Sequence, residues 1–132
     1  MTEETMARVS TVSDLITVLA RALLSIPIIW AGFWKAAEPS LYQTNFAHLG
    51  LPLPMAAWAV AVAVEVVGGL ALLFGIQTRV AAGVLSFWCI ATALVAHTNF
   101  SDPNMQIHFM KNVVMAGGFL YVAADRGRRR AT

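Results

Sequence analysis

Four apolar stretches, each close to the length that crosses a bilayer as a helix, dominate this 132-residue chain. They run from about 15 to 34, 56 to 75, 79 to 96 and 106 to 124. At about 1.5 Å per residue, some 20 residues cover a hydrocarbon core roughly 30 Å thick. Strand readings fail because no two-residue alternation persists. The expected fold is all-α: one domain over 1–132, a transmembrane four-helix bundle, with a basic cytoplasmic tail over 125–132.

Composition agrees. Residues are 58% hydrophobic and 12% charged, against about 25% charged in ordinary soluble domains. The first segment is expected to start after Ser13 and Asp14, which can cap free amides, and to end at Lys35 ahead of Glu38 and Pro39. Pro27 removes a backbone bond inside it, which membrane helices tolerate. Gly50 to Pro54 reads as a turn before the second segment. Ile76, Gln77 and Thr78 leave only a tight connection to the third, so those two helices form an antiparallel hairpin. A polar stretch, Thr98 to Asn104, leads into the fourth.

Positive charges set the expected topology. With both termini cytoplasmic, Arg8, Arg79 and the tail residues Arg126, Arg128, Arg129 and Arg130 lie inside, and only Lys35 lies outside. Trp34, Tyr42, Phe46 and Trp58 then fall at the outer headgroup level. A cleaved leader fits poorly, because Glu3, Glu4 and Arg21 interrupt the required pattern. One cysteine, Cys89, excludes an internal disulfide and a dithiol pair and reads as a packing residue. The tail arginines read as a topology signal and lipid contact, so nucleic acid is not an expected partner.

Every segment also carries an ionisable group that hydrocarbon rejects. Glu65 sits about 15 Å from the inner boundary, where a bare charge costs about 3 kcal/mol on translocon scales. It must be protonated, paired or hydrated. Arg21 and Lys111 are the candidate partners, each long enough to extend toward mid-depth. His108, Lys111 and Asn112 stand at helical spacing and share one face, which is expected to look into the bundle. The plain alternative is a polar network that fixes helix register without chemistry. His97, His108 and Asp102 make a conceivable ligand set, but no HExxH occurs and the spacing matches no metal pattern, so no metal is expected.

These residues resemble a known family. The run Ala31, Gly32, Phe33, Trp34, Lys35, the helix with Glu65, Gly68 and Gly69, the connection Gly75 to Arg79, and Phe109, Met110, Lys111, Asn112 ahead of Ala116, Gly117, Gly118 look like the DoxX family. The resemblance covers roughly 21–121 and implies a small four-helix inner-membrane protein. It implies that Arg21, Lys35, Glu65, Arg79, His97, Lys111 and Asn112 occupy the family's polar positions, without catalytic roles. The family takes its name from a small subunit associated with thiosulfate oxidation to a quinone, and other members are linked to oxidative-stress complexes.

Three functions follow as expectations. In the first, the chain is a membrane subunit of an oxidoreductase-linked complex (quinone, sulfur or oxidative-stress) and binds a quinone-like molecule. Arg21 or Lys111 donates to a carbonyl, Glu65 relays a proton, His108 and Asn112 line the seam, and Trp30 or Trp88 stacks on the ring. No flavin fingerprint, haem pair or cysteine set is present, so no intrinsic cofactor is expected and electrons must come from elsewhere. The second is a membrane anchor or assembly subunit, with other subunits or a second copy as partners. The third is a small-molecule or ion transporter with Glu65 and Lys111 as a gated pair, for which one four-helix unit offers little room.

Overall fold

The computed structural model describes residues 1–125, and the tail arginines at 126, 128, 129 and 130 lie outside the described residues. All regular structure among the described residues is helical. Four helices are long and apolar enough to cross a membrane: Glu3–Ala37, Pro54–Phe74, Thr78–Ala96 and Pro103–Ala124. In chain order the elements are α1 (Glu3–Ala37), α2 (Pro39–His48), α3 (Pro54–Ala63), a π-helical turn (Val64–Gly68), α4 (Gly69–Phe74), α5 (Thr78–Ala96) and α6 (Pro103–Ala124). The segments α3, π turn and α4 form one continuous second spanning helix.

α1 begins well before the expected start at Ser13 and Asp14. Thr2 is its N-cap and accepts from the Thr5 amide at 3.3 Å. Glu3 and Glu4 fill the first turn, where the helix dipole favours acids. Glu4 pairs with Arg8 one turn on at 2.6 Å. Hydroxyls that would compete as caps bond back to carbonyls of the same helix instead, as Thr17 does to Ser13. The resulting 35-residue rod is about 52 Å long, so part of it extends beyond the hydrocarbon. Pro27 lies inside it without ending it.

The stretch after Lys35 also differs from a simple loop. Pro39 occupies the first position of α2, where its missing amide costs nothing, and α2 continues to His48. At the opposite end of the bundle Gly75 takes the left-handed conformation, φ 72°. Its amide bonds to the Leu72 carbonyl and that of Ile76 to Ala71, the paired bonds that close a helix before a sharp reversal.

Close contacts fix how the rods lie. A side chain at Gly32 would meet Glu65 and Val66, one at Gly69 would meet Ile28 and Ile29, and one at Gly75 would meet Arg21. α1 and the second spanning helix therefore run antiparallel, held close by glycines. α5 and α6 are antiparallel as well: Ser86 Oγ donates to the Ala116 carbonyl at 2.8 Å and Arg79 Nε to the Ala123 carbonyl at 3.0 Å. Ile28, Leu72, Leu85, Cys89 and Phe119 form the buried core between them. Most other large apolar side chains are exposed, as expected for surfaces that meet lipid.

Two substitutions test the register. Gly32→Val places carbon atoms against the Val66 backbone nitrogen, 3.1 Å from an ideal Cβ, and should destabilise the fold by about 1–3 kcal/mol. Gly83→Ala meets nothing within 4 Å and should be neutral or stabilising by up to about 1 kcal/mol. Thermal unfolding in detergent, followed by circular dichroism, measures both.

Candidate functional site

Glu65 lies within the π turn and is buried, with 4% of its surface exposed. Single π turns inside α-helices gather at functional sites. The carboxylate faces the last turn of α1. Lys35 Nζ lies 2.8 Å from Glu65 Oε2, and Trp88 Nε1 of α5 donates to Glu65 Oε1 at 3.0 Å. Both oxygens are thereby engaged by donors from two other helices.

Lys35 is held in turn. Trp58 Nε1 donates to the Lys35 carbonyl at 2.7 Å, satisfying an acceptor that the helix end would otherwise leave open. The Lys35 ammonium also sits 5.4 Å from the centre of the Tyr42 ring on α2, within cation–π range. Charge neutrality at this depth thus comes from Lys35.

Above the pair the helices part around a cavity of about 850 Å³. Lys35, Glu65 and Trp88 line it together with Tyr42, Phe46, Leu51, Ala61, Thr92 and His97. Its size matches a small-molecule site: mainly apolar walls with a few convergent polar groups. Val60 and Val95 also line it and are themselves about half exposed, 51% and 46%.

The residues singled out from sequence are divided by the fold. Glu65 is at the cavity floor. Arg21 does not reach it: the antiparallel register sets Arg21 beside Gly75, and its buried Nε has no protein partner. Lys111 does not reach it either. Lys111 is exposed on α6, with His108 Nδ1 3.4 Å from its Nζ. Asn112 donates to the His108 carbonyl of its own helix at 2.9 Å. His108 stacks on His97 with centroids 5.2 Å apart, touching the cavity only through that neighbour. Trp30 is 64% exposed and packs edge-on against Trp34, away from the cavity. Among the described residues no group of three or more His, Cys, Asp and Glu gathers as metal ligands.

Lys35, Trp58 and Tyr42 are therefore the site residues that depth counting sets at the outer boundary, whereas Trp88, of the two expected ring-stacking residues, is the one that lines the cavity. The available signal was the glycine spacing. Gly32 packs against Glu65 and Val66, and Gly69 against Ile28 and Ile29, a register in which Lys35, one turn beyond Gly32, reaches Glu65.

Burial lowers the His97 pKa, and the positive fields of His108, Lys111 and Lys35 lower it further. A depressed histidine value means that the fold favours the neutral ring. That contribution is complete above the ordinary value of about 6.5 and fades as pH falls through the lowered one. Acidification from pH 7 to 5 should lower the detergent Tm, and His97→Gln should flatten that dependence. The ion pair gives a second test. Lys35→Ala strands a buried carboxylate and should cost about 3–5 kcal/mol, whereas Lys35→Met with Glu65→Gln should cost markedly less; chemical denaturation of the three variants decides.

Comparison with known proteins adds family evidence. The family model described as DoxX matches residues 16–98. The inner membrane protein YqjF of Escherichia coli (strain K12) is 34% identical over 113 residues, 83% of each chain. The inner membrane protein YphA of the same organism is 34% identical over 111 residues, 80% of this chain and 79% of its own. No solved structure matches.

Proposed function

The chain belongs to the DoxX family of integral membrane proteins, and from that premise we propose that it is a small subunit of an oxidoreductase-linked complex that binds a lipophilic quinone-type molecule above the Lys35–Glu65 pair. The observation that carries this reading is the cavity of about 850 Å³ whose floor is that ion pair. A quinone ring needs apolar walls, a donor for its carbonyl and a group that exchanges protons. Here the donor is Lys35, in place of Arg21 or Lys111, and the proton-exchanging group is Glu65. Trp88 borders the ring space and steadies the carboxylate.

Entry from the bilayer fits the exposed Val60 and Val95 at the cavity side, since both stand on membrane-crossing helices. A ligand that partitions into lipid would arrive there without crossing water. Electrons are assigned to a partner subunit. Both relatives are named inner membrane proteins, and we place this chain in the corresponding membrane. Following the arginine distribution, both termini are cytoplasmic and the cavity lies in the outer half.

An anchoring role is favoured by Lys111. Its ammonium is exposed on a spanning helix and makes no ion pair among the described residues, so a partner helix bearing a carboxylate would neutralise it. One subunit can serve both roles.

Purification of the full chain in mild detergent, followed by mass spectrometry of extracted lipids, tests the binding role. Near-stoichiometric quinone should accompany the wild-type protein and fall about tenfold in Lys35→Ala, the change expected when one hydrogen bond to a charged donor is lost. Wild-type protein free of quinone, and unable to take it up from quinone-loaded vesicles, would sink this reading.

A further inference from the structure

We propose that the cavity floor is built to receive a single hydroxyl group between Lys35 and Glu65, so that it prefers the reduced, phenolic form of a lipophilic quinone-type ligand over the oxidised form. This rests on the cavity being a quinone-type site and adds which redox form it holds.

The hydrogen-bonding inventory of the floor leads there. Lys35 can only donate and an ionised Glu65 can only accept. Their side chains are 16% and 5% exposed, so little water is at hand to replace a lost partner. A ligand oxygen that engages both groups at once comes between Nζ and Oε2, now 2.8 Å apart. A quinone carbonyl has lone pairs alone. It would satisfy Lys35 and turn those lone pairs toward a carboxylate left without its cation. A phenolic hydroxyl accepts from Lys35 through oxygen and donates its proton to Glu65, so neither group is stranded. An aryl ether behaves like the carbonyl, because it has no proton to give.

The surroundings specify which part moves. Glu65 stays in place, because the Trp88 N–H holds its other oxygen at 3.0 Å. The backbone of Lys35 is fixed by Trp58 at 2.7 Å. The Lys35 side chain, a flexible four-carbon stem, is the part that can yield, and the Tyr42 ring, with its centre 5.4 Å from the ammonium, offers a second seat for the displaced charge. The floor is thus one anchored acceptor facing one hinged donor. A hydroxyl completes that arrangement and a carbonyl does not.

The test compares three forms of one short-chain alkyl benzoquinone: the quinone, the hydroquinone kept anaerobic, and its dimethyl ether. Binding of each to the full chain in nanodiscs is measured by flow dialysis against protein-free nanodiscs. The hydroquinone should bind at least about tenfold more tightly than the other two, as expected when one buried acceptor is matched or left unmatched. In Glu65→Gln the amide can donate to a carbonyl as readily as it accepts from a hydroxyl, so the preference should collapse toward unity. Quinone binding equal to or tighter than hydroquinone binding overturns the hydroxyl proposal and leaves the quinone site standing. Absence of specific binding by all three overturns the site itself. If the variant does not fold, the wild-type ligand series decides alone.

Discussion

A carboxylate placed near the middle of a membrane has to be neutralised, and the arrangement of the α2 end of this bundle follows from how Glu65 meets that requirement. Its cation arrives from the last turn of α1 and its second donor from α5. Three spanning helices are therefore committed to one point. Because the pair is largely withdrawn from solvent, removing one member costs more than the pair itself contributes. Its value lies in fixing which helices meet there and at what height.

Around that point the bundle has two unlike halves. Toward Gly75, glycines let α1 and the second spanning helix approach until side chains touch backbone, and Ile28, Leu72, Leu85 and Phe119 close the space. Toward α2, tryptophan and tyrosine replace glycine as the contact-making residues, and large rings cannot bring helices so near. The cavity is the geometric result. The closed half supplies rigidity, while the open half supplies a chamber with a charged floor. α2 lies across that chamber, so its Tyr42 and Phe46 couple the position of this short helix to whatever occupies the space.

Much of the architecture was legible beforehand. The third span and most of the second follow from apolar length alone, since a stretch of about 20 such residues has few alternatives in a bilayer. The tight reversal at Gly75 followed from a glycine and a connection too short for anything else. Helix ends were less legible. Hydrophobicity reports where lipid begins and says little about where a helix does, so Thr2, Glu3 and Glu4 started α1 in water, ahead of the apolar run. α2 leaves no such mark for the same reason, being too short and too polar to read as a span.

Glu65 was marked by sequence alone, because one acid in an apolar segment demands an explanation whatever surrounds it. Its partner was not. Depth counted along separate helices cannot choose among Arg21, Lys35 and Lys111, all of which carry the needed charge on a flexible stem. The choice was made by the antiparallel register of α1 against its neighbour, in which Arg21 falls beside Gly75 and Lys35 beside Glu65. The sequence by itself determined that this is a four-span membrane bundle with a polar point to neutralise. Only the tertiary structure decided which cation does so and that a chamber opens above it, because both depend on how closely particular helices can approach.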